Sequence, residues 1–296
     1  MQTLTVRHVT HYSYANPVEF QPHRLMLRPR DSHDLRLVNA ELSIWPHGNV
    51  RWLHDVFGNS VAVVDFIEPS NELKIESVLT LERYGAGGLP FELEESARDY
   101  PFVYSSDDRI DLGRMLDCHY PDPTGELETW AKGFVAARPT DTMALLTDIN
   151  NGIHQGFTYQ MRHEEGTQAP LETLRLGTGS CRDFALLLIE AVRALGFGAR
   201  FVTGYLYDPA LDGDDSAVVG AGATHAWADI YLPGAGWVEF DPTNGSIAAD
   251  NLIRVAVTRD PSQAVPVAGG FTGLLGDYLG MTVDVSVRSH AEPLAA

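Results

Sequence analysis

The chain has 296 residues, 44% of them apolar, with 40 Asp and Glu against 21 Lys and Arg for a formal charge of −19. That length and apolar share allow a substantial buried core and favour two domains over one. The negative charge argues against nucleic acid and anionic membranes as partners, and no stretch reaches the ~20 apolar residues of a membrane span.

The opening stretch MQTLTVRHVTHYSY alternates like a strand and has no apolar signal core, so the cytoplasm is the expected compartment. Period-two patterning continues through Leu4-Val6, Leu25-Leu27, Leu37 with Leu42-Ile44, Val50-Trp52, Val61-Val63 and Leu73-Ile75, which predicts an N-terminal β-sandwich over residues 1–85. Asp55-Val56-Phe57-Gly58-Asn59 between two of these strands reads as a tight turn whose Asp and Asn need no further role. His8, His11, His23, His33, His47 and His54 are too dispersed for a metal cluster, and no metal is expected.

Residues 86–125 mix Gly, Pro and acidic residues without sustained periodicity and read as a connector over the surface. Cys118 in this segment reads as an incidental surface or interface cysteine. It and Cys181 form neither a disulfide framework nor a metal-type spacing, as suits a reducing compartment. Glu126 to Arg138 and Thr142 to Gln155 follow as helices, then a short strand at Phe157 to Tyr159 and a short helix over Leu171 to Leu176. The loop with His163, Glu164 and Glu165 is placed to border a substrate groove.

The stretch from Gly177 to Leu206, GTGSCRDFALLLIEAVRALGFGARFVTGYL, organises the second half. Phe184, Ala185, Leu187, Leu188, Ala191, Val192 and Leu195 recur at helical spacing after a glycine-rich run. With Ser180 as N-cap and Gly196 as stop, they predict a helix of roughly 15 residues beginning at Cys181. A thiol in the first turn meets unpaired amides and the positive end of the helix dipole, which favour thiolate over thiol. Asp183 would oppose this if it faced the sulfur, but an acid in a first turn more often serves the helix. Taken alone, Cys181 reads more readily as a small buried hydrophobe, as most free cysteines are.

Residues 224–232 and 237–240 then read as two strands joined by Pro233-Gly234-Ala235-Gly236, with His225 near the start of the hairpin and Asp241 at its far end. A register pairing Leu232 with Trp237 would set Asp241 opposite Ala228, on the wrong face for His225, and would call for a bulge or strong twist. Asp208, Asp212, Asp214 and Asp215 before this hairpin lack EF-hand ligand spacing, and the acidic loop 208–216 reads as solvated. Arg254 to Thr258 and Met281 to Val287 have strand character, Gly269 to Gly280 is mobile or covers a surface, and Ser289 to Ala296 should be disordered.

Taken together, G-x-G-x-C-x-D-F-A, T-H-A-W-A-D-I-Y and G-W-V-E-F-D-P-T, in this order, with L-G-F-G-A-R-F-V-T-G-Y between the first and second, resemble the bacterial transglutaminase-like family, whose members are often described as cysteine proteases. D-V-F-G-N at Asp55 to Asn59 extends the resemblance to the β-rich module before the core. The resemblance implies an α+β fold with a papain-like, transglutaminase-like core over 126–265, in which the cysteine helix packs on an antiparallel sheet, and leaves 266–296 as a C-terminal extension. It makes Cys181 the nucleophile, His225 the general base and acid, and Asp241 the residue that orients the histidine. Tyr159, Gln160 and Trp227 are candidates for oxyanion or substrate-lining roles.

The implied activity is thiol-dependent acyl chemistry on a peptide or protein amide, with no cofactor required. Hydrolysis is favoured over acyl transfer to an amine, because the chain has no visible device for excluding water. A binding or scaffold protein on the same fold is the contrasting expectation, against which the presence of all three triad residue types counts.

Overall fold

In the computed structural model the described residues are 1–84, 91–162, 166–208, 223–274 and 276–290. The alternating segments at the start of the chain become β1 (Gln2–Phe20), β2 (His23–Arg28), β3 (Leu35–Trp45), β4 (Gly48–His54), β5 (Ser60–Phe66) and β6 (Ser70–Arg83). Period two is plain in β6, where Leu73, Ile75, Leu79 and Leu81 are buried while Glu72 and Lys74 are exposed.

The middle of the chain contributes β7 (Asp99–Tyr100), α1 (Ser106–Leu112), α2 (Glu126–Lys132), β8 (Thr140–Asp141), α3 (Thr142–Gly156), β9 (Thr158–Tyr159), α4 (Pro170–Leu176), β10 (Thr178–Gly179) and α5 (Cys181–Ala194). Next come β11 (Ala199–Leu206), β12 (His225–Leu232), β13 (Gly236–Asp241), β14 (Ser246–Ile247), β15 (Leu252–Thr258), β16 (Val267–Ala268), β17 (Phe271–Thr272) and β18 (Tyr278–His290).

Two sheets build the sandwich. One runs β17-β1-β6-β3, with β18 also paired to β1, and the other runs β16-β2-β5-β4. The C-terminal segment therefore returns to the N-terminal module. Ser289 and His290, expected to be disordered, pair with Leu4 and Thr3, and Phe271-Thr272 extends the end of β1. Sequence proximity hid this because a strand shows its own alternation but not its partner.

The second layer is an antiparallel sheet ordered β14-β13-β12-β11-β15, against which α5 packs. Nearly every residue of α5 is buried, with Phe184, Leu187, Leu188 and Val192 set among Ala226, Ala228, Ile230 and Phe201 of the sheet and Leu145, Leu146 and Ile149 of α3. A helix enclosed on all sides in this way is fixed in position and in rotation about its axis. It ends at Gly196, whose φ of 94° suits glycine and whose N–H reaches the Arg193 carbonyl.

The connector is more ordered than its composition suggested. It contains α1, and the Tyr104 hydroxyl within it accepts from Gly198 N and donates to the Tyr231 carbonyl. Buried Glu190 accepts from the backbone N–H groups of His119 and Tyr120 while paired to Arg193 at 2.7 Å, tying the connector to α5. The helix expected to run to Arg138 stops at Lys132.

The turn at Asp55 to Asn59 has a role beyond turn chemistry. Asp55 holds Asn59 through three hydrogen bonds, and Asn59 in turn bonds both the Val257 carbonyl, at 2.7 Å, and the Val257 N–H, at 2.9 Å. An amide side chain thereby mimics a strand and clamps the N-terminal module to β15. Leu4, Val6, Leu79 and Leu81 bury against Tyr205, Ile253 and Val255 beside it, so the two modules share apolar core. No described helix is long and apolar enough to cross a membrane.

Candidate active site

Cys181 is the first residue of α5 and is 7% exposed. Its position is set by the residues before it. Ser180 N–H and Oγ donate to Asp183 Oδ2 at 2.8 and 2.9 Å, while Asp183 Oδ1 accepts from Gln168 N at 2.7 Å and Arg162 pairs with it at 3.2 Å. Asp183 thus serves the helix start, as its place in the first turn predicts. Gly179 is required here because a Cβ would lie 2.9 Å from Asp183 Cβ and 3.2 Å from the Phe184 ring. With the first turn locked, the backbone N–H of Cys181 is among those a helix leaves without an internal partner.

The histidine comes from the hairpin. β12 and β13 pair Leu232 with Gly236 and Ala228 with Phe240, one residue away from the register expected from sequence. The turn is Pro233-Gly234-Ala235, closed by Ala235 N–H to the Leu232 carbonyl at 3.0 Å. A one-residue slip moves a whole strand's side chains to the other face. In the observed register Asp241 falls in line with Trp227 and diagonal to His225, on a shared face, with no bulge in this pair. His225 Nε2 and Asp241 Oδ2 are accordingly 2.8 Å apart, both side chains fully buried.

Asp241 is held from several sides. Besides the ring N–H it accepts from Thr243 N at 2.9 Å, from Asn244 N at 3.4 Å and from Asn244 Nδ2 at 2.8 Å. Burial alone would raise its pKa, but the histidine charge and these donors hold it below the ordinary aspartate value. For His225, burial disfavours the imidazolium, yet Asp241 and then the Cys181 thiol outweigh it and raise its pKa to about 10. The ring is therefore cationic near neutrality. Its Nδ1 is buried without an aligned hydrogen-bond partner and is the nitrogen left for the cysteine.

The remaining candidates divide. β9 runs parallel to β10, setting Tyr159 beside Gly179 and close enough to Cys181 that, after burial, the thiol is the next cause raising the phenol to about 12. Gln160 is exposed, and its N–H is bonded to the Gly179 carbonyl at 2.8 Å. Trp227 is fully buried and stacks on His225 at 29°, centroids 6.1 Å apart, so it supports the ring from behind and cannot line a groove. Residues 163–165 and most of the acidic loop 208–216 lie outside the described residues.

Asn244 escaped the sequence reading, although Asn244-Gly245 is a turn signal directly after D-P-T. It shares Asp241 Oδ2 with the histidine. The loop is braced by His154 of α3, which bonds the Thr243 carbonyl at 2.9 Å and whose ring lies 2.9 Å from where a Cβ on Gly245 would stand. Cys118 is exposed and far up in pKa, at about 11, chiefly through burial of its sulfur and the nearby Glu190. No group of three or more His, Cys, Asp or Glu able to hold a metal occurs among the described residues.

Comparison with known proteins accounts for both modules. Residues 4–82 match the bacterial transglutaminase-like N-terminal region, and residues 128–242, which include Cys181, His225 and Asp241, match the transglutaminase-like superfamily. An uncharacterized protein of Mycobacterium tuberculosis is 30% identical over 293 residues, spanning 95% of this chain and 91% of the relative. Another from Mycobacterium leprae is 26% identical over 294 residues, spanning 97% and 99%. A solved structure from Cytophaga hutchinsonii, provisionally described as a cysteine protease, shares the fold with a TM-score of 0.71 at 18% identity, covering 97% of this chain and 90% of that one.

Proposed function

The chain belongs to the bacterial transglutaminase-like family, and from that premise we propose that it performs thiol-dependent acyl chemistry on a peptide or side-chain amide, with hydrolysis as the main outcome. The observation that carries this is the 2.8 Å contact of His225 Nε2 with Asp241, which leaves Nδ1 for Cys181. Asp241 fixes the tautomer and orientation of the ring, and the ring's high pKa supplies a proton donor at neutral pH.

In the first half-reaction the Cys181 thiolate attacks the amide carbon and the carbonyl becomes an oxyanion. The N–H of Cys181 is one donor to it, and the Tyr159 hydroxyl, kept neutral by its raised pKa, is the candidate for a second. The C–N bond breaks as His225 gives its proton to the departing amine, leaving a thioester. Acylation removes the thiolate that helped hold the proton on His225, so the ring is a better base in the second half. It then takes a proton from water, the hydroxide oxygen adds to the thioester, and collapse releases the acid and restores the thiolate.

Water needs no binding subsite, whereas an amine acceptor does; this is why hydrolysis leads. Incubation with Gln-containing peptides and a labelled amine, read by mass, tests the proposal. A cleaved fragment or loss of ammonia without amine incorporation is expected. Amine incorporation would select transamidation, and no covalent intermediate with any peptide would favour a binding protein on this fold.

A further inference from the structure

The face of the catalytic sheet turned away from α5 holds a cavity of about 630 Å³, lined from both modules and by none of Cys181, His225 and Asp241. Its volume lies in the range of small-molecule sites, and a boundary between modules is a common place for one. Arg83 supplies the decisive feature. It is the last residue of β6 and continues the inward stripe of Leu79 and Leu81, where an apolar side chain would be expected, and it is only 9% exposed. Among the described residues its side chain makes no hydrogen bond or ion pair.

Most of the other charges at the cavity are engaged, whereas exposed Arg30 and His33 of the lining have no ion pair among the described residues. Arg200 pairs with Asp229 at 2.9 Å and lies over the Trp237 ring at 4.1 Å. Arg254 pairs with Asp229 and, at 2.7 Å, with Glu239. Asp31 accepts from Leu37 N at 2.6 Å, and Asp34 from the Ser32 hydroxyl at 2.5 Å. Asp31, Asp34 and Asp250 are exposed carboxylates of the lining with no ion pair among the described residues, and of these Asp250 alone accepts no side-chain hydrogen bond either; Asp250, Asp34 and Glu239 act on Arg83 only from beyond ion-pair reach. The Arg83 guanidinium is not sealed from solvent but belongs to the cavity lining, and its planar fork is suited to a carboxylate.

We propose that this cavity binds a small zwitterion of the free amino acid or short peptide class, its carboxylate on Arg83, its ammonium toward Asp250 and its apolar part against Phe91 and Phe57. A buried cation with no partner and, in the same cavity, a carboxylate with neither ion pair nor side-chain hydrogen bond match the two ends of such a molecule, with exposed Arg30 as a second cation of the lining. A dianion would meet the carboxylates, and a simple cation would leave Arg83 unanswered.

The test is calorimetry of the full chain with free L-amino acids and dipeptides, beside their C-amidated and N-acetylated forms. At least one zwitterion should bind, weakening about tenfold or more on amidation or in Arg83→Met, and less on acetylation or in Asp250→Asn. Alkylating Cys181 should leave the affinity unchanged. Methionine continues the apolar stripe, so Arg83→Met should fold; if it does not, the amidated probes and exposed Asp250→Asn still decide. No zwitterion binding at millimolar concentration, binding indifferent to both amidation and Arg83→Met, or binding lost on alkylation of Cys181 would overturn the proposal.

Discussion

At the ends of β12 and β13, Asp241 accepts from His225, Thr243 and Asn244 together, and Trp227 stacks behind the imidazole. On the face of the same sheet turned away from α5, Arg83 is nearly as buried yet meets carboxylates only at a distance. Both regions place charge where burial is costly. In the first the charges satisfy one another, which fixes a geometry and tunes a pKa; in the second one is left over, which leaves a demand for a ligand. Saturation marks the place where bonds are proposed to be made and broken, and the unsaturated cavity marks the place where a molecule is proposed to rest.

Breaking the saturated region should have the largest effect. Cys181→Ala is expected to abolish turnover while changing stability by about 1 kcal/mol, since one sulfur leaves the core. Cys118→Ala should do neither, and equal loss in both variants, measured by turnover and urea melts, would point to a two-cysteine site. Asp241→Asn comes next, with kcat reduced about a hundredfold or more, because an amide neither stabilises the imidazolium nor fixes its tautomer. A steady-state assay with KM little changed would support that role.

Stability against pH sharpens the contrast further. The folded pKa of His225 is raised from 6.5 to about 10, so its contribution is complete below the unfolded value and is lost as pH rises through the folded one. Unfolding free energy should therefore fall by up to a few kcal/mol between about pH 7 and pH 10, and His225→Gln should flatten that decline. An equal decline in both proteins would show that the buried pair is not its source. The smallest effect belongs to the module boundary. Asn59→Ala should cost about 1–3 kcal/mol by freeing Val257 N–H and C=O, with kcat unaltered. A loss of kcat without loss of stability would mean that the clamp reaches the triad.

Much of the candidate site was legible because its signals are local. The apolar period of α5, its N-cap and Gly196 are read within one element, and the motifs around Cys181, His225 and Asp241 carry their own order. The register of the hairpin was not, because a turn of three or four residues is equally permitted by Pro233-Gly234-Ala235-Gly236, and the choice flips Asp241 across the sheet. The return of β18 to β1 and the grip of Asn59 on β15 join residues about two hundred positions or more apart, and nothing in either partner announces the other. Arg83 drew no notice in the sequence, because a charged residue at the end of a strand reads as solvated; only its burial in the fold sets it apart.

The central claim, that the Cys181 sulfur is a nucleophile served by His225, is tested most directly by iodoacetamide alkylation followed by mass at each cysteine across pH, in the parent chain and in His225→Ala. Cys181 should be labelled ahead of Cys118 at about pH 6, and His225→Ala should slow that labelling about tenfold or more while leaving Cys118 unchanged. A Cys181 that stays inert at that pH and is indifferent to His225→Ala would contradict the account.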